Sequence, residues 1–213
     1  MRPARIRDYQ MKKTLLYLLA FSLLTACGGN KSDTGDDETG NKQTATKRVI
    51  KASELISNDD AAALLGQSTK EGEITKRPFI DESRYVSKDY NFSIALCQEA
   101  LHDKNSDFEK NLLKKGWTSY IKEMEKAYSK NYYQQNIVEM GGIDGKSYLQ
   151  DGGAMGLWLL HIFYGEYYIS ITVGNTSLSR VDSEAETLWK QAKLKEAGNR
   201  AVGRLKAILE NHK

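Results

Sequence analysis

Apolar and polar positions alternate most regularly between Leu157 and Val173. Two runs, GLWLLHIFY and YYISITV, flank Gly165-Glu166, and a two-residue loop led by glycine predicts a hairpin with a type II′ turn. That register pairs Tyr164 with Tyr167, Ile162 with Ile169, Leu160 with Ile171 and Trp158 with Val173, giving one apolar core face. The opposite face carries Phe163 across from Tyr168, His161 across from Ser170 and Leu159 across from Thr172.

Period two recurs in RYVSKDYNFSIALC, residues 84–97, where Tyr90, Phe92, Ile94 and Leu96 share one side and Asn91, Ser93, Ala95 and Cys97 the other. A half-buried strand follows from that spacing. Residues 132–140 and 146–150 are further strand candidates around the turn GGIDG.

Other segments repeat at three and four. In ASELISNDDAAALLG, residues 52–66, Ser57 and Asp60 have capping-box spacing, Ile56 precedes the cap and Gly66 is placed to end the helix. Phe108, Leu112, Leu113, Trp117, Tyr120, Ile121, Met124 and Tyr128 predict one long amphipathic helix over 107–130, capped by Ser106 with Glu109. A C-terminal helix from about Ser183 is marked by Ala185, Leu188, Trp189 and Ala192, then by Ala201, Val202, Leu205, Ile208 and Leu209, with Gly198 as a candidate kink. Runs of strands beside flanking helices, without strict βαβ alternation, predict an α+β fold. Its sheet is mostly antiparallel, its central helix long, and its N- and C-terminal helices cover one face. The expected folded domain is 49–213.

The N-terminus is of another kind. Residues 14–24 make an apolar run of about eleven positions behind Lys12 and Lys13. A bilayer span needs roughly 20 apolar residues, so basic, apolar and small-residue regions in this order read as a secretory signal over 1–26. Met11-Lys12-Lys13 is a sufficient start in itself. Leu24-Thr25-Ala26-Cys27 resembles the lipobox of bacterial lipoproteins. The resemblance implies cleavage between Ala26 and Cys27, and a diacylglyceryl group on the Cys27 sulfur as membrane anchor.

Residues 28–48 hold no large apolar residue and cannot offset their ordering entropy by burial. With Cys27 they form a tether, 27–48, whose flexible coil reaches roughly 25 Å. The acidic residues Asp33 and Asp36-Asp37-Glu38 resemble the export tag of surface lipoproteins in Bacteroidota; an acidic solvated linker accounts for them equally. Gly28 stands where an inner-membrane retention signal has aspartate, which favours an outer-membrane address in the cell envelope.

Removing the signal changes the charge. The full chain is formally +3, but residues 1–26 carry five bases and one acid, so the mature part is −1. No basic field remains to draw in nucleic acid. Of the two cysteines, lipidation of Cys27 leaves Cys97 alone, and such a thiol is most often a small buried hydrophobe.

No metal or cofactor motif is present: the three histidines, His102, His161 and His212, lack helical metal spacing, and no HExxH, CxxC or GxSxG occurs. Cys97 and His161 would form a nucleophile and base if their strands were neighbours; a histidine bonded to Ser170 beside a buried thiol explains the same residues. The face of Leu159, His161, Phe163, Tyr168, Ser170 and Thr172 mixes aromatic bodies with polar tips, as binding surfaces do. A helix packed over it is the competing reading.

The order of DDAAALLG helix, strand, long helix, GGIDGKSY turn, hairpin and terminal helix is similar to small uncharacterised lipoprotein domains of bacterial envelopes, although Gly142-Ile143-Asp144-Gly145 departs from their turn spacing. The resemblance implies a fold and brings no catalytic residue. The sequence therefore predicts a non-enzymatic envelope lipoprotein that binds a protein or small ligand. The alternative is a hydrolase or transferase using Cys97 and His161.

Overall fold

The computed structural model describes residues 48–130, 136–153, 156–177 and 180–211. The signal segment, Ala26, Cys27 and the tether as far as residue 47 lie outside these residues, as do the first part of the 132–140 strand and His212.

Seven antiparallel strands form one sheet: β1 (Lys70–Glu71), β2 (Ile80–Val86), β3 (Tyr90–Cys97), β4 (Ile137–Glu139), β5 (Lys146–Asp151), β6 (Trp158–Tyr164) and β7 (Tyr167–Asn175). Their order is β1-β2-β3-β7-β6-β5-β4. Each half is a meander of local hairpins, and β3 against β7 joins the halves. Among the described residues five α-helices accompany them: α1 (Ala52–Leu55), α2 (Asn58–Leu65), α3 (Asp107–Leu112), α4 (Trp117–Lys130) and α5 (Glu184–Glu210). The fold is α+β, as the pattern predicts.

The β6–β7 register matches the predicted pairs from Tyr164↔Tyr167 through Trp158↔Val173. Gly165 takes φ +58, which glycine adopts without a side-chain penalty. The apolar face of β3, β6 and β7 packs against α1, α2 and α5, burying Phe92, Ile94, Leu160, Ile162, Ile169 and Ile171 with Leu55, Leu64, Leu194 and Leu205. A second cluster on the opposite face places Trp117 and Ile121 of α4 over Cys97, Tyr148, Phe163 and Tyr168. The domain is thus a three-layer α/β/α sandwich, with terminal helices on one side and the central helix on the other.

The α2 cap forms as its spacing requires. Ser57 Oγ accepts from Asp60 N, Asp60 Oδ2 accepts from Ser57 N, and Gly66 closes the helix at φ 65. Asp60 does more than cap. Arg200 donates to it at 2.7 Å, and Arg204 is bonded to both of its oxygens, so α2 is tied to α5. Partial burial pushes the Asp60 carboxyl up, but the hydrogen bonds from Arg204, Ser57 and Arg200 outweigh it and hold the group well below the usual carboxylate range.

Four expectations need correction. Residues 84–97 are not one strand: Arg84–Val86 end β2, Ser87 to Asp89 turn, and Tyr90 starts β3. Ser87 fixes the turn, its N–H donating to Tyr90 O at 2.9 Å while its Oγ accepts from Tyr90 N at 3.0 Å. Alternation holds on both sides of the turn, which hides it.

The 107–130 helix is two helices. Gly116 at φ +83 breaks the run between α3 and α4, and Phe108 and Leu112 lie exposed on α3. Ser106 caps α3 by accepting from Glu109 N, but the Glu109 carboxylate turns to Asp103 N at 2.7 Å instead of completing a box.

Gly198 does not kink α5, which is continuous. A Cβ there would come within 2.8–3.1 Å of the tips of Leu160, Ile143 and Ile162, so its missing side chain lets the helix lie close on the sheet. In the first half of α5 the predicted stripe is out of phase. Leu188 is 60% exposed, and the buried positions there are Lys190, Leu194 and Ala197; in the second half Ala201, Val202 and Leu205 are buried as expected.

Candidate functional site

Strand alternation puts the six candidate binding residues on one face, and α4 decides which of them can be reached. His161, Phe163 and Tyr168 are buried, whereas Leu159, Ser170 and Thr172 are half-buried. The Tyr128 ring of α4 lies 4.3 Å from the His161 ring and 5.7 Å from Phe163. Trp117, at the start of α4, meets Phe79 edge-on at 5.5 Å and donates its indole N–H to Glu166 O at 2.8 Å. The helix thus seals the half of the face near the β6–β7 turn. Beyond it, Thr172 and Ser93 share a 2.6 Å hydroxyl–hydroxyl bond on the uncovered half.

His161 pairs with Ser170 in register but does not bond to it. Its Nε2–H faces the Gln150 amide oxygen at 3.0 Å, and its Nδ1 accepts the Tyr168 O–H at 2.7 Å. Tyr128 O–H reaches the Tyr168 oxygen at 3.3 Å. Both ring nitrogens are therefore satisfied in the neutral form, and burial pushes the imidazole down to about 3.

Cys97 lies under the same helix. Its strand, β3, is separated from β6 by β7: Cys97 faces Tyr168, and Tyr168 in turn faces Phe163. The structure does not bring Cys97 and His161 together. Burial pushes the thiol up to about 12, against a small opposing pull from Arg77. A nucleophilic cysteine needs the reverse, an amply populated thiolate.

Outside this face, a small depression of about 10 Å³ is lined by Gln98, Glu99, Ala100, Trp117, Glu166 and Tyr167; pockets for drug-sized ligands run to about 300–1,000 Å³. His102 keeps a buried Nε2 without a hydrogen-bond partner, its ring 5.9 Å from Phe79. Among the described residues, no three His, Cys, Asp or Glu side chains gather as metal ligands.

A buried polar cluster on α5 was not foreseen from the sequence. Lys190 is 0% exposed. Its Nζ lies 2.7 Å from Gly156 O, 2.8 Å from Asn175 Oδ1 and 2.8 Å from each oxygen of Asp182. Asn175 Nδ2 donates to Asp182 Oδ1 at 2.8 Å and to Arg180 O at 3.2 Å. Nearby, Tyr90 donates to Glu186 at 3.0 Å, Arg180 pairs with Glu186 at 2.5 Å, and the Tyr90 ring packs tilted against Trp189 at 4.8 Å. A sequence signal existed: Lys190 stands four residues before Leu194, in phase with Ala197 and Ala201, where an apolar residue belongs. A lysine there must bring its counter-charge inside with it.

No protein-family model matches this sequence, and no curated protein or solved structure matches it.

Proposed function

We propose that this chain is a lipid-anchored protein of the bacterial envelope, moored at the outer membrane through Cys27, whose folded domain acts by binding a protein or small ligand. The lipobox and the acidic tether support the mooring. Among the described residues no helix is long and apolar enough to cross a membrane. The net charge of −1 after residue 26 sets nucleic acid aside as a partner.

The observation that carries binding over covalent catalysis is the state of the two reactive groups. The Cys97 thiol is held protonated, the His161 imidazole is held neutral with both nitrogens engaged, and β7 lies between their strands. A ligand on this face touches its open half, at Leu159, Ser170 and Thr172. His161, Phe163 and Tyr168 support that half from beneath α4.

Alkylation separates the two readings. Iodoacetamide at neutral pH leaves Cys97 of the folded protein unmodified over hours and labels it at once in urea. Rapid, stoichiometric labelling of the native state would restore Cys97 as a nucleophile and overturn the binding reading.

A further inference from the structure

The cluster around Lys190 sets a carboxamide beside a buried ion pair. A buried ammonium is compensated by a carboxylate and a few acceptors. Here a carboxamide is also held against both partners, and the three side chains are sealed from water: Lys190 is 0% exposed, Asn175 4%, and the Asp182 side chain 6%. We propose that Lys190 and Asn175 join in an intramolecular isopeptide bond, with Asp182 as the proton carrier.

The geometry supplies each requirement. Nucleophile and electrophile are hydrogen-bonded neighbours, with Lys190 Nζ 2.8 Å from Asn175 Oδ1. Such enforced proximity replaces a bimolecular encounter. One carboxylate oxygen, Asp182 Oδ1, lies 2.8 Å both from the amine that must lose protons and from the Asn175 Nδ2 that must gain one. Gly156 completes the wall. A Cβ there would stand 2.5 Å from Asn175 Nδ2 and 2.9 Å from Asp182 Oδ1, so glycine lets the backbone carbonyl close on Nζ without parting the reacting groups. The Tyr90 ring, 5.7 Å from Nζ, borders the site.

The step balances without a co-reactant. Asp182 takes a proton from the Lys190 ammonium, and the freed Nζ lone pair adds to Asn175 Cγ to form a tetrahedral adduct. Asp182 passes its proton to Nδ2 and accepts a second from Nζ. The Cγ–Nδ2 bond then breaks, its electron pair leaving with ammonia, and the carbonyl reforms on the new Nζ–Cγ bond. Ammonia takes the last proton from Asp182 and departs as ammonium. A primary ammonium and a carboxamide become a secondary amide and ammonium, with charge conserved and nothing oxidised. The product ties the end of β7 to the first half of α5, across the segment that leaves the sheet. For a domain in an envelope, such a link resists pulling and proteolysis without any cysteine.

Intact-mass spectrometry on the folded, purified full chain tests this, followed by fragment sequencing of a digest. The expected mass is one ammonia below that of the same chain unlinked. The expected digest contains a branched peptide joining residues 175 and 190, with no tryptic cut after Lys190. Lys190→Arg and Asp182→Ala each restore the full mass, and circular dichroism checks their fold. Full mass in the wild-type protein, with linear peptides carrying intact Asn175 and Lys190, overturns the proposal. A cyclic imide at Asn175 loses the same ammonia, but it would leave a linear peptide and persist in Lys190→Arg; that outcome overturns it too.

Discussion

Trp117→Ala lowers the stability of the domain by about 3–5 kcal/mol, the usual cost of truncating a large buried aromatic side chain. Trp117 is 5% exposed, packs edge-on against Phe79 and hydrogen-bonds Glu166 O. It begins α4 directly after the Gly116 break, so it fixes where that helix lands on the sheet. Loosening α4 uncovers what lies beneath it. Cys97 alkylation in Trp117→Ala therefore accelerates under conditions where circular dichroism still reports a folded sheet. Urea titration gives the stability, and the labelling rate gives the local opening. Leu188→Ala, on an exposed surface of α5, is the control and shifts stability by no more than about 0.5 kcal/mol. Equal stability losses in the two variants would mean that α4 does not clamp this face.

His161 makes the domain acid-sensitive in a defined window. Its imidazole titrates near 6.5 when unfolded, and burial lowers it to about 3 in the fold. The unfolded chain therefore binds a proton that the native state refuses. This contribution to stability is complete above pH 6.5 and is lost as pH falls toward 3. The loss is about 1.4 kcal/mol for each pH unit inside the window. From pH 6.5 to about 4.5 His161 costs the wild type roughly 2–3 kcal/mol, while the carboxylates that begin to titrate near the lower end are common to wild type and variant. His161→Gln keeps a donor and an acceptor for Tyr168 and Gln150 but cannot titrate, so its urea midpoint stays flatter across the same range. Parallel slopes for wild type and variant would show that the imidazole is not buried neutral. Asp60 acts lower on the scale: its depressed carboxyl contributes above its ordinary value of 3.8 and is lost as pH falls through its native value.

The hairpin was legible in the sequence because two local signals agree there. Period-two alternation sets the faces, and Gly165 sets the turn. Capping of α2 was equally local, resting on Ser57, Asp60 and Gly66. The failures are places where a pattern persists across a break. Apolar spacing runs on from Leu112 to Trp117 although Gly116 takes a positive φ between them. At Ser87 to Asp89 the parity shifts by one, since Tyr85 pairs with Phe92 on the core face, but apolar Val86 and Tyr90 keep an even spacing in the sequence and mask the shift.

The binding face shows a second limit. Sequence fixes which residues share it, but its mixture of Phe163, Tyr168 and His161 reads alike whether solvent or Tyr128 lies above. Coverage is a long-range fact, decided by where α4 returns to the sheet. Lys190 was missed for the opposite reason. Its spacing placed it with Leu194 and Ala197, and only its charge made it look exposed. Its partners, Asn175 and Asp182, lie on separate segments that no spacing rule connects.

The account rests on Cys27, and mass spectrometry of the mature N-terminus, taken from membranes of the native host, tests it most directly. The predicted N-terminal peptide begins at Cys27 and carries a thioether-linked diacylglyceryl group, while Cys27→Ser leaves the protein unacylated and free of the membrane fraction. A mature protein that still carries residues upstream of Cys27, or a free Cys27 thiol, would contradict it.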